Sequence, residues 1–204
     1  MTGRGAGGVS APAQLDRRGQ EVTLVGERVE PGGMMRYGIP GFRAPREVLD
    51  AEIHRMLDLG IKTRMNCRIG TDITMAQIRA DFNAIFLGLG AQSGRPLAVE
   101  GADAPNCVTA TSFLKAFNDG RLRHVGKRVV VVGGGDTSID VATVARRLGH
   151  IDKIHESDRP EHAIAGYIAH DVAAVSAKQG ADVTLTSIFA IDKMQASRGE
   201  VEHA

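Results

Sequence analysis

The chain has 204 residues, with 25 basic and 24 acidic side chains, a net charge of +1 and no tryptophan. Because the charges form no block of one sign and aromatic residues are few, the composition does not favour nucleic-acid binding. The apolar runs are shorter than the ~20 residues that cross a bilayer, and the amino terminus lacks the apolar segment of a signal peptide. We therefore expect a cytoplasmic protein that binds neither nucleic acid nor membrane.

The cysteines and histidines form no recognisable redox or metal motif. Cys67 and Cys107 are far apart in sequence and make no C-x-x-C pair. Two buried, unreactive thiols are the favoured interpretation. The seven histidines show no H-E-x-x-H spacing, so no metal ligand is predicted.

The chain begins with a glycine-rich turn. A G-x-G-x-x-G motif at residues 3–8 precedes a predicted helix over 9–18, and EVTLV at 21–25 predicts a strand. This spacing before a helix is typical of a turn that binds the pyrophosphate of a dinucleotide. Against that interpretation, two residues before Gly3 leave no room for the usual preceding strand, and Pro12 lies one turn into the helix.

Loops, helices and strands alternate in the next segment. Glycine and proline punctuate residues 31–43, which predicts a loop, and a helix is predicted over 45–59. A short strand near 61–67 and a helix near 74–79 follow. The continuous apolar run AIFLGLG at 84–90 predicts a buried parallel strand.

The second half of the chain holds the clearest strand. After a possible helix over 112–117, VVVV at 129–132 predicts a buried strand that enters a glycine turn and then a helix ending near Leu148. A further helix is expected over 162–179, and DVTLT at 182–186 predicts a strand. Strands that alternate with helices indicate an α/β protein with mostly parallel sheets.

The glycine turn after VVVV has the composition of a dinucleotide-binding turn. Gly133 permits a tight turn, Gly135 lets backbone N–H groups approach a pyrophosphate, and the small Ser138 lets helix and strand pack closely. Asp136 and Thr137 suit the first helical turn, whose N–H groups and dipole attract phosphate. The alternative is a tight strand–helix turn that binds no nucleotide.

Three ordered segments, PGGMMRYGIPGFRAPREVL, FLGLGAQSGRPLAVEG and VVVVGGGDTSIDVA, resemble the glutamate synthase small-subunit family and related NAD(P)H:FAD modules. The resemblance covers about residues 3–149 and resumes near 181–204. It implies two Rossmann-like dinucleotide-binding domains with mostly parallel sheets, the NAD(P)H domain being inserted in the FAD domain. The FAD domain would occupy residues 1–120 and the NAD(P)H domain residues 121–204.

The resemblance also implies a function. Such a flavin-dependent oxidoreductase passes hydride from NAD(P)H to FAD and electrons onward to an iron–sulfur acceptor domain or a larger catalytic subunit. Because the hydride passes directly between cofactors, no catalytic side chain is predicted. The cofactor-binding residues implied by motif position are Gly3, Gly5, Gly8, Gly33, Met34, Ile39, Pro40 and Gly90 for FAD, and Gly133, Gly135, Asp136, Thr137 and Ser138 for NAD(P)H.

Several family features are missing from the sequence. The cysteine-rich iron–sulfur region, the first strand of the FAD domain and the returning FAD segment are not found. Both domains are therefore expected to be incomplete, and the chain to be a fragment whose activity depends on the missing segments. Residues 150–180 form an insertion relative to closer relatives.

The coenzyme choice and two other functions stay open at this point. The arginines that often hold a 2′-phosphate are replaced by Thr186, Ser187 and Ile188, and only Lys193 and Arg198 follow. The sequence is therefore compatible with NADH or NADPH. The alternatives to a flavoprotein are a single NAD(P)-binding protein and a cofactor-less structural or interaction domain.

Overall fold

In the computed structural model, the chain divides into two compact units, Met1–Gln92 and Ser93–Ala204. The predicted helix over 162–179 lies outside the described residues, except for its last two residues, which form a strand instead. The domain boundary at residue 120 stays a prediction. The residues that the structure describes are 5–150, 178–179, 182–187, 189–190 and 193–196.

The first unit contains a parallel strand pair and helices. Strands β1 and β2 pair in parallel, with Leu24 opposite Thr63. The helices and strands are α1 (Ala6–Asp16), β1 (Thr23–Val25), α2 (Gly33–Tyr37), α3 (Arg46–Leu57), β2 (Lys62–Arg64) and α4 (Met75–Asp81). The helices predicted over 9–18, 45–59 and 74–79 and the strands at 21–25 and 61–67 are confirmed, with bounds that differ by a few residues.

Helix α1 continues through Pro12, although proline removes one intrahelical hydrogen bond. The Pro12 ring is fully buried, so its packing offsets part of that loss. Ala13 on the same helix packs with Leu24 of β1 and Ile61 in one apolar cluster. The first glycine turn is therefore anchored to the small sheet by a packed helix.

Two expectations for the first unit are wrong. The loop predicted over 31–43 contains the short helix α2, which forms where Gly32 and Gly33 adopt positive φ values of 125° and 53°. The run 84–90 is not a buried strand, because Phe86, Leu87 and Leu89 are 46%, 57% and 57% exposed. An apolar run becomes a buried strand only when layers cover both faces of its sheet, and the exposed side chains show that this cover is lacking here.

The second unit contains parallel strand pairs and two longer helices. Strands β4 and β7 pair in parallel from Arg128 and Asp182 to Val132 and Thr186. Strand β5 pairs in parallel with β3 and antiparallel with β6. The elements are α5 (Ala110–Asn118), β3 (His124–Val125), β4 (Arg128–Val132), α6 (Asp136–Arg147), β5 (Gly149–His150), β6 (Lys178–Gln179) and β7 (Asp182–Thr186).

The core of the second unit lies between helices and sheet. Phe113 and Leu114 of α5 pack with Val144 of α6, and Val183 and Leu185 of β7 pack against the same cluster. The strands and helices predicted from residues 112 to 148 and over 182–186 are confirmed. The chain is thus an α/β protein with mostly parallel strand pairing.

The strand β4 is buried on one side only. Val131 is buried, whereas Val130 and Val132 are 67% and 60% exposed. The prediction of a fully buried strand is therefore wrong for one face, since only the face toward α5 and α6 is covered. Within the described part of the chain, no helix is both long and apolar enough for a membrane span.

Candidate functional site

Gly133 turns the chain out of β4 in a conformation that favours glycine. Its φ is 142°, and a Cβ at this position would collide with Oγ of Ser138. The Gly133 N–H donates to the Thr186 carbonyl at 2.7 Å, which extends the β4–β7 ladder into the turn. The structure therefore brings Gly133 and Ser138 together, and the turn itself requires glycine at position 133.

Gly134 lies against the segment that follows β7. A Cβ on Gly134 would be 2.5 Å from Oγ of Ser187 and 3.3 Å from Cε of Met194. The Ala196 N–H donates to the Gly134 carbonyl at 3.2 Å. No sequence pattern singles out Gly134, because its contacts come from residues more than fifty positions away along the chain.

Gly135 differs from its neighbours because the fold does not require glycine there. Its φ of −102° and ψ of 171° are extended values open to any residue. Among the described residues, a Cβ would meet only Oε1 of Gln195, at 4.0 Å. Gly135 is the N-cap of α6 and supplies no side-chain cap, while Asp136 and Thr137 are exposed in the first turn. The helix start thus has room for an anion beside its N–H groups.

The first glycine turn has a similar open position. Gly3 lies outside the described residues, but Gly5 is the N-cap of α1 with φ −74° and ψ −175°. A Cβ on Gly5 would meet no atom of the described residues within 4 Å. The first turn of α1 carries no acidic residue.

Gly8 is buried beside the run 84–90. A Cβ on Gly88 would be 3.2 Å from Cα and 3.4 Å from N of Gly8. Small residues are therefore needed where this run passes the start of α1. Gly90 has a positive φ of 67° but follows no strand, and a Cβ there would be 3.4 Å from Nε2 of Gln92.

The residues predicted to form a flavin pocket meet in one loop. The Met34 side chain lies over the buried Gly38, and the Met34 carbonyl accepts from the Ile39 N–H at 2.9 Å. Pro40 is fully buried and Ile39 is half-buried. The structure therefore places Gly33, Met34, Ile39 and Pro40 on one short, folded segment.

Arg36 holds the start of this loop in place, and no sequence motif predicted a role for this arginine. Its largely buried guanidinium donates through Nε to the Pro31 carbonyl at 2.7 Å. It also forms ion pairs with Glu30, at 2.8 Å, and with Asp50. The sequence signal was weak, because an arginine in a loop is more often solvated.

Arg46 fixes the second half of the loop and was missed as well. Its Nη1 donates to the Met35 carbonyl at 2.9 Å and its Nη2 to the Ile39 carbonyl at 2.8 Å. Burial and the nearby charge of Arg36 lower the pKa of Arg46. Two arginines, Arg36 and Arg46, therefore hold the loop backbone through hydrogen bonds to its carbonyls.

The cysteines differ in exposure. Cys67 is buried as expected, but Cys107 is exposed, which corrects the interpretation of two buried thiols. Cys107 lies in the polar connection before α5, where few apolar residues are available to cover it. In the described ranges, no group of three potential metal ligands is found.

A depression of about 650 Å³ is present in the first unit. It contains none of the predicted cofactor-binding residues. The lining residues are Met75, Arg79, Phe82, Asn83, Ala84, Ile85 and Leu87. The predicted residues that the structure describes thus lie at the two glycine turns, in the arginine-held loop and, for Gly90, in the run 84–90, rather than in this depression.

Comparisons with known proteins identify a single family along most of the chain. The family described as pyridine nucleotide-disulphide oxidoreductase matches residues 2–164. The NAD-dependent dihydropyrimidine dehydrogenase subunit PreT of Salmonella typhimurium is 35% identical over 153 residues, which cover 73% of this chain and 36% of that protein. A putative glutamate synthase [NADPH] small chain of Cereibacter sphaeroides is 35% identical over 158 residues, covering 73% of this chain and 38% of that protein.

A third relative and a solved structure extend the comparison. The glutamate synthase [NADPH] small chain of Mycobacterium tuberculosis is 34% identical over 181 residues, covering 81% of this chain and 37% of that protein. The names of the glutamate synthase relatives agree with the resemblance drawn from the sequence motifs. The structure of Mycobacterium tuberculosis FprA in complex with NADPH has a TM-score of 0.70 and 18% identity, and covers 99% of this chain and 45% of that one. The chain spans little more than a third of the curated relatives described here.

Proposed function

The chain belongs to the pyridine nucleotide-disulphide oxidoreductase family, and from that premise we propose that it is the nucleotide-binding part of a flavin-dependent oxidoreductase of the glutamate synthase small-subunit type. Its cofactors would be FAD and NAD(P)H. Reduction of a disulfide by paired thiols is not proposed, since the two cysteines form no C-x-x-C motif.

The observation that carries the proposal is the open position at Gly135. This glycine has ordinary backbone angles and almost no neighbours in the part of the chain that the structure describes, so a bound group explains its lack of a side chain better than the described fold does. The α6 N-terminus would hold the NAD(P)H pyrophosphate through N–H groups and the helix dipole. The first helical turn at that site would be formed by Asp136, Thr137 and Ser138. Gly133 would turn the chain from β4 toward α6.

The FAD site would be formed by the first glycine turn and the arginine-held loop. Gly3, Gly5 and Gly8 would face the pyrophosphate, and the open position at Gly5 supports this assignment. The loop would contact the flavin through Gly33, Met34, Ile39 and Pro40, with Gly90 contributing from the run that passes α1.

FAD, when bound, supplies the ability to accept hydride from NAD(P)H and to release electrons. The residues of the chain need only bind and orient the two nucleotides, so no catalytic side chain is proposed. Electrons would leave to an iron–sulfur acceptor domain or a larger catalytic subunit. The relatives named as subunits and small chains support such a partner. The cytoplasmic location expected from the sequence stays a prediction.

Titration of FAD into the purified chain tests the proposal. Weak but saturable quenching of flavin fluorescence is expected, and Gly5→Val should weaken the binding by about tenfold or more while leaving the fold intact. Gly7→Ala is the control, because a Cβ at Gly7 also meets no described atom within 4 Å, while Gly7 lies outside the G-x-G-x-x-G positions.

The outcome also separates the alternative functions. Binding of NADH or NADPH without FAD would replace the proposal with a single NAD(P)-binding protein. A folded chain that binds none of the three nucleotides would replace it with a cofactor-less structural domain. Equal FAD binding by the Gly5→Val and Gly7→Ala variants would show that the first glycine turn is not the FAD site.

A further inference from the structure

The residue after β7 lies beside the second glycine turn. Strands β4 and β7 pair in register up to Val132 and Thr186, and the Gly133 N–H continues the ladder to the Thr186 carbonyl. The two strands therefore end together. Ser187 follows directly, and its Oγ is 2.5 Å from the position of a Cβ on Gly134.

This position has a defined meaning in dinucleotide-binding folds. The end of the strand next to the glycine turn meets the adenosine ribose, where an acidic residue binds the 2′-hydroxyl of NAD and an arginine accommodates the 2′-phosphate of NADP. A 2′-phosphate needs a cation with several donors, and arginine supplies a planar, bidentate group.

Ser187 supplies a neutral hydroxyl at this point. Its Oγ accepts a hydrogen bond from the Phe189 N–H at 3.1 Å, which leaves the hydroxyl proton as a donor. Such a group can form a hydrogen bond with a ribose hydroxyl, but it cannot neutralise a phosphate. Phe189, two residues later, is exposed and apolar.

The rest of the loop also presents uncharged groups to the turn. Met194 lies near Gly134, and Gln195 lies near Gly135. Ala196 is buried and donates its N–H to Gly134. Lys193 is the single basic residue between positions 182 and 196 of the sequence; it is exposed, and its N–H is bonded to the Ala190 carbonyl.

We propose that the nucleotide site at Gly133–Ser138 prefers NADH to NADPH, and that Ser187 is the residue that contacts the ribose 2′-hydroxyl. This inference rests on the proposed function, since it assigns the coenzyme of the same site. The preference comes from the absence of a positive charge on the described loop residues that contact the turn, and from the hydroxyl that occupies the ribose position.

Titration of the full chain with NADH and, separately, with NADPH tests the preference. We expect NADH to bind at least tenfold more tightly. Ser187→Arg should raise the affinity for NADPH relative to NADH by tenfold or more, because it adds a guanidinium for the 2′-phosphate. Since Ser187 packs closely on Gly134, the smaller change Ser187→Ala is measured as well, and it should weaken NADH binding by roughly three- to tenfold.

Lys193→Ala examines the basic residue among the described loop positions, and the ratio of the NADH and NADPH affinities should not change. Thermal melting of each variant shows that it is folded. NADPH binding as tight as NADH binding would overturn the preference. A ratio that responds to Lys193→Ala but to neither Ser187 variant would overturn the role of Ser187. If the folded chain binds neither coenzyme, the proposed nucleotide site itself is wrong, and the preference falls with it.

Discussion

Replacing Gly135 with valine separates nucleotide binding from folding. The backbone at Gly135 has φ −102° and ψ 171°, which a branched residue adopts without strain. Of the atoms in the described residues, the new Cβ would meet one within 4 Å, Oε1 of Gln195 at 4.0 Å. The added side chain would instead occupy the space in front of the α6 N-terminus, where the pyrophosphate is proposed to bind.

The expected magnitudes differ for binding and for stability. A hydrogen bond to a charged group contributes about 1.5–3 kcal/mol, so the loss of one N–H contact to the pyrophosphate weakens binding by roughly 10- to 100-fold. Valine is a poorer N-cap than glycine, and this lowers the free energy of unfolding by about 1 kcal/mol or less. At Gly133 the main effect of a substitution is instead on stability. Alanine there must adopt the positive φ of 142° and overlaps Ser138, which destabilises the fold by about 1–3 kcal/mol.

Isothermal titration with NADH measures the effect on binding, and thermal unfolding measures the effect on the fold. Gly126→Val is the matched control, because Gly126 is exposed near the opposite end of β4 and a Cβ there meets only the Arg128 carbonyl, at 3.8 Å. If the Gly135→Val and Gly126→Val variants bind NADH equally well, the α6 N-terminus is not the pyrophosphate site.

Two further predictions concern a loop arginine and a histidine. Arg46→Met removes the donors to the Met35 and Ile39 carbonyls, so the free energy of unfolding should fall by about 1–2 kcal/mol. Urea unfolding measures this change, and an unchanged urea midpoint would contradict the role of Arg46. Burial and the charge of Arg123 lower the pKa of His124 in the folded state below its ordinary value of 6.5. Below pH 6.5 the unfolded state therefore binds more protons than the folded state. The stability that this histidine contributes above pH 6.5 is lost as the pH falls through the lower folded pKa. The drop in melting temperature between about pH 7 and about pH 5.5 should therefore be smaller for His124→Gln, and an equal drop would argue against this linkage.

The sequence predicted the helices, strands and turns that depend only on residues close together along the chain. Four consecutive valines followed by glycines predict a strand and a turn, and the apolar stripe that follows predicts α6. The exposure of Val130 could not be predicted in this way, because it depends on which layers cover the sheet. The same reason explains the error at residues 84–90, where an apolar run lies largely exposed.

Part of the candidate site depends on contacts between residues distant in sequence. Arg36 and Arg46 bind backbone carbonyls across a loop, and no spacing rule connects an arginine to a carbonyl. Ser187 reaches Gly134 only because β4 and β7 pair in register and end together. The glycine motif predicted where a phosphate could bind, but not which side chains surround that place.

The glycines of the second turn are retained for two different physical reasons. Gly133 needs its positive φ, and Gly134 needs its missing Cβ because Ser187 packs against it, so the fold alone accounts for both. Gly135 has neither constraint, and Gly5 in the first turn has none either. A glycine that the fold does not require lowers stability by the entropy of its flexible backbone. The inference of nucleotide binding therefore depends most on Gly135 and Gly5, whose replacement should change binding and leave folding nearly unchanged.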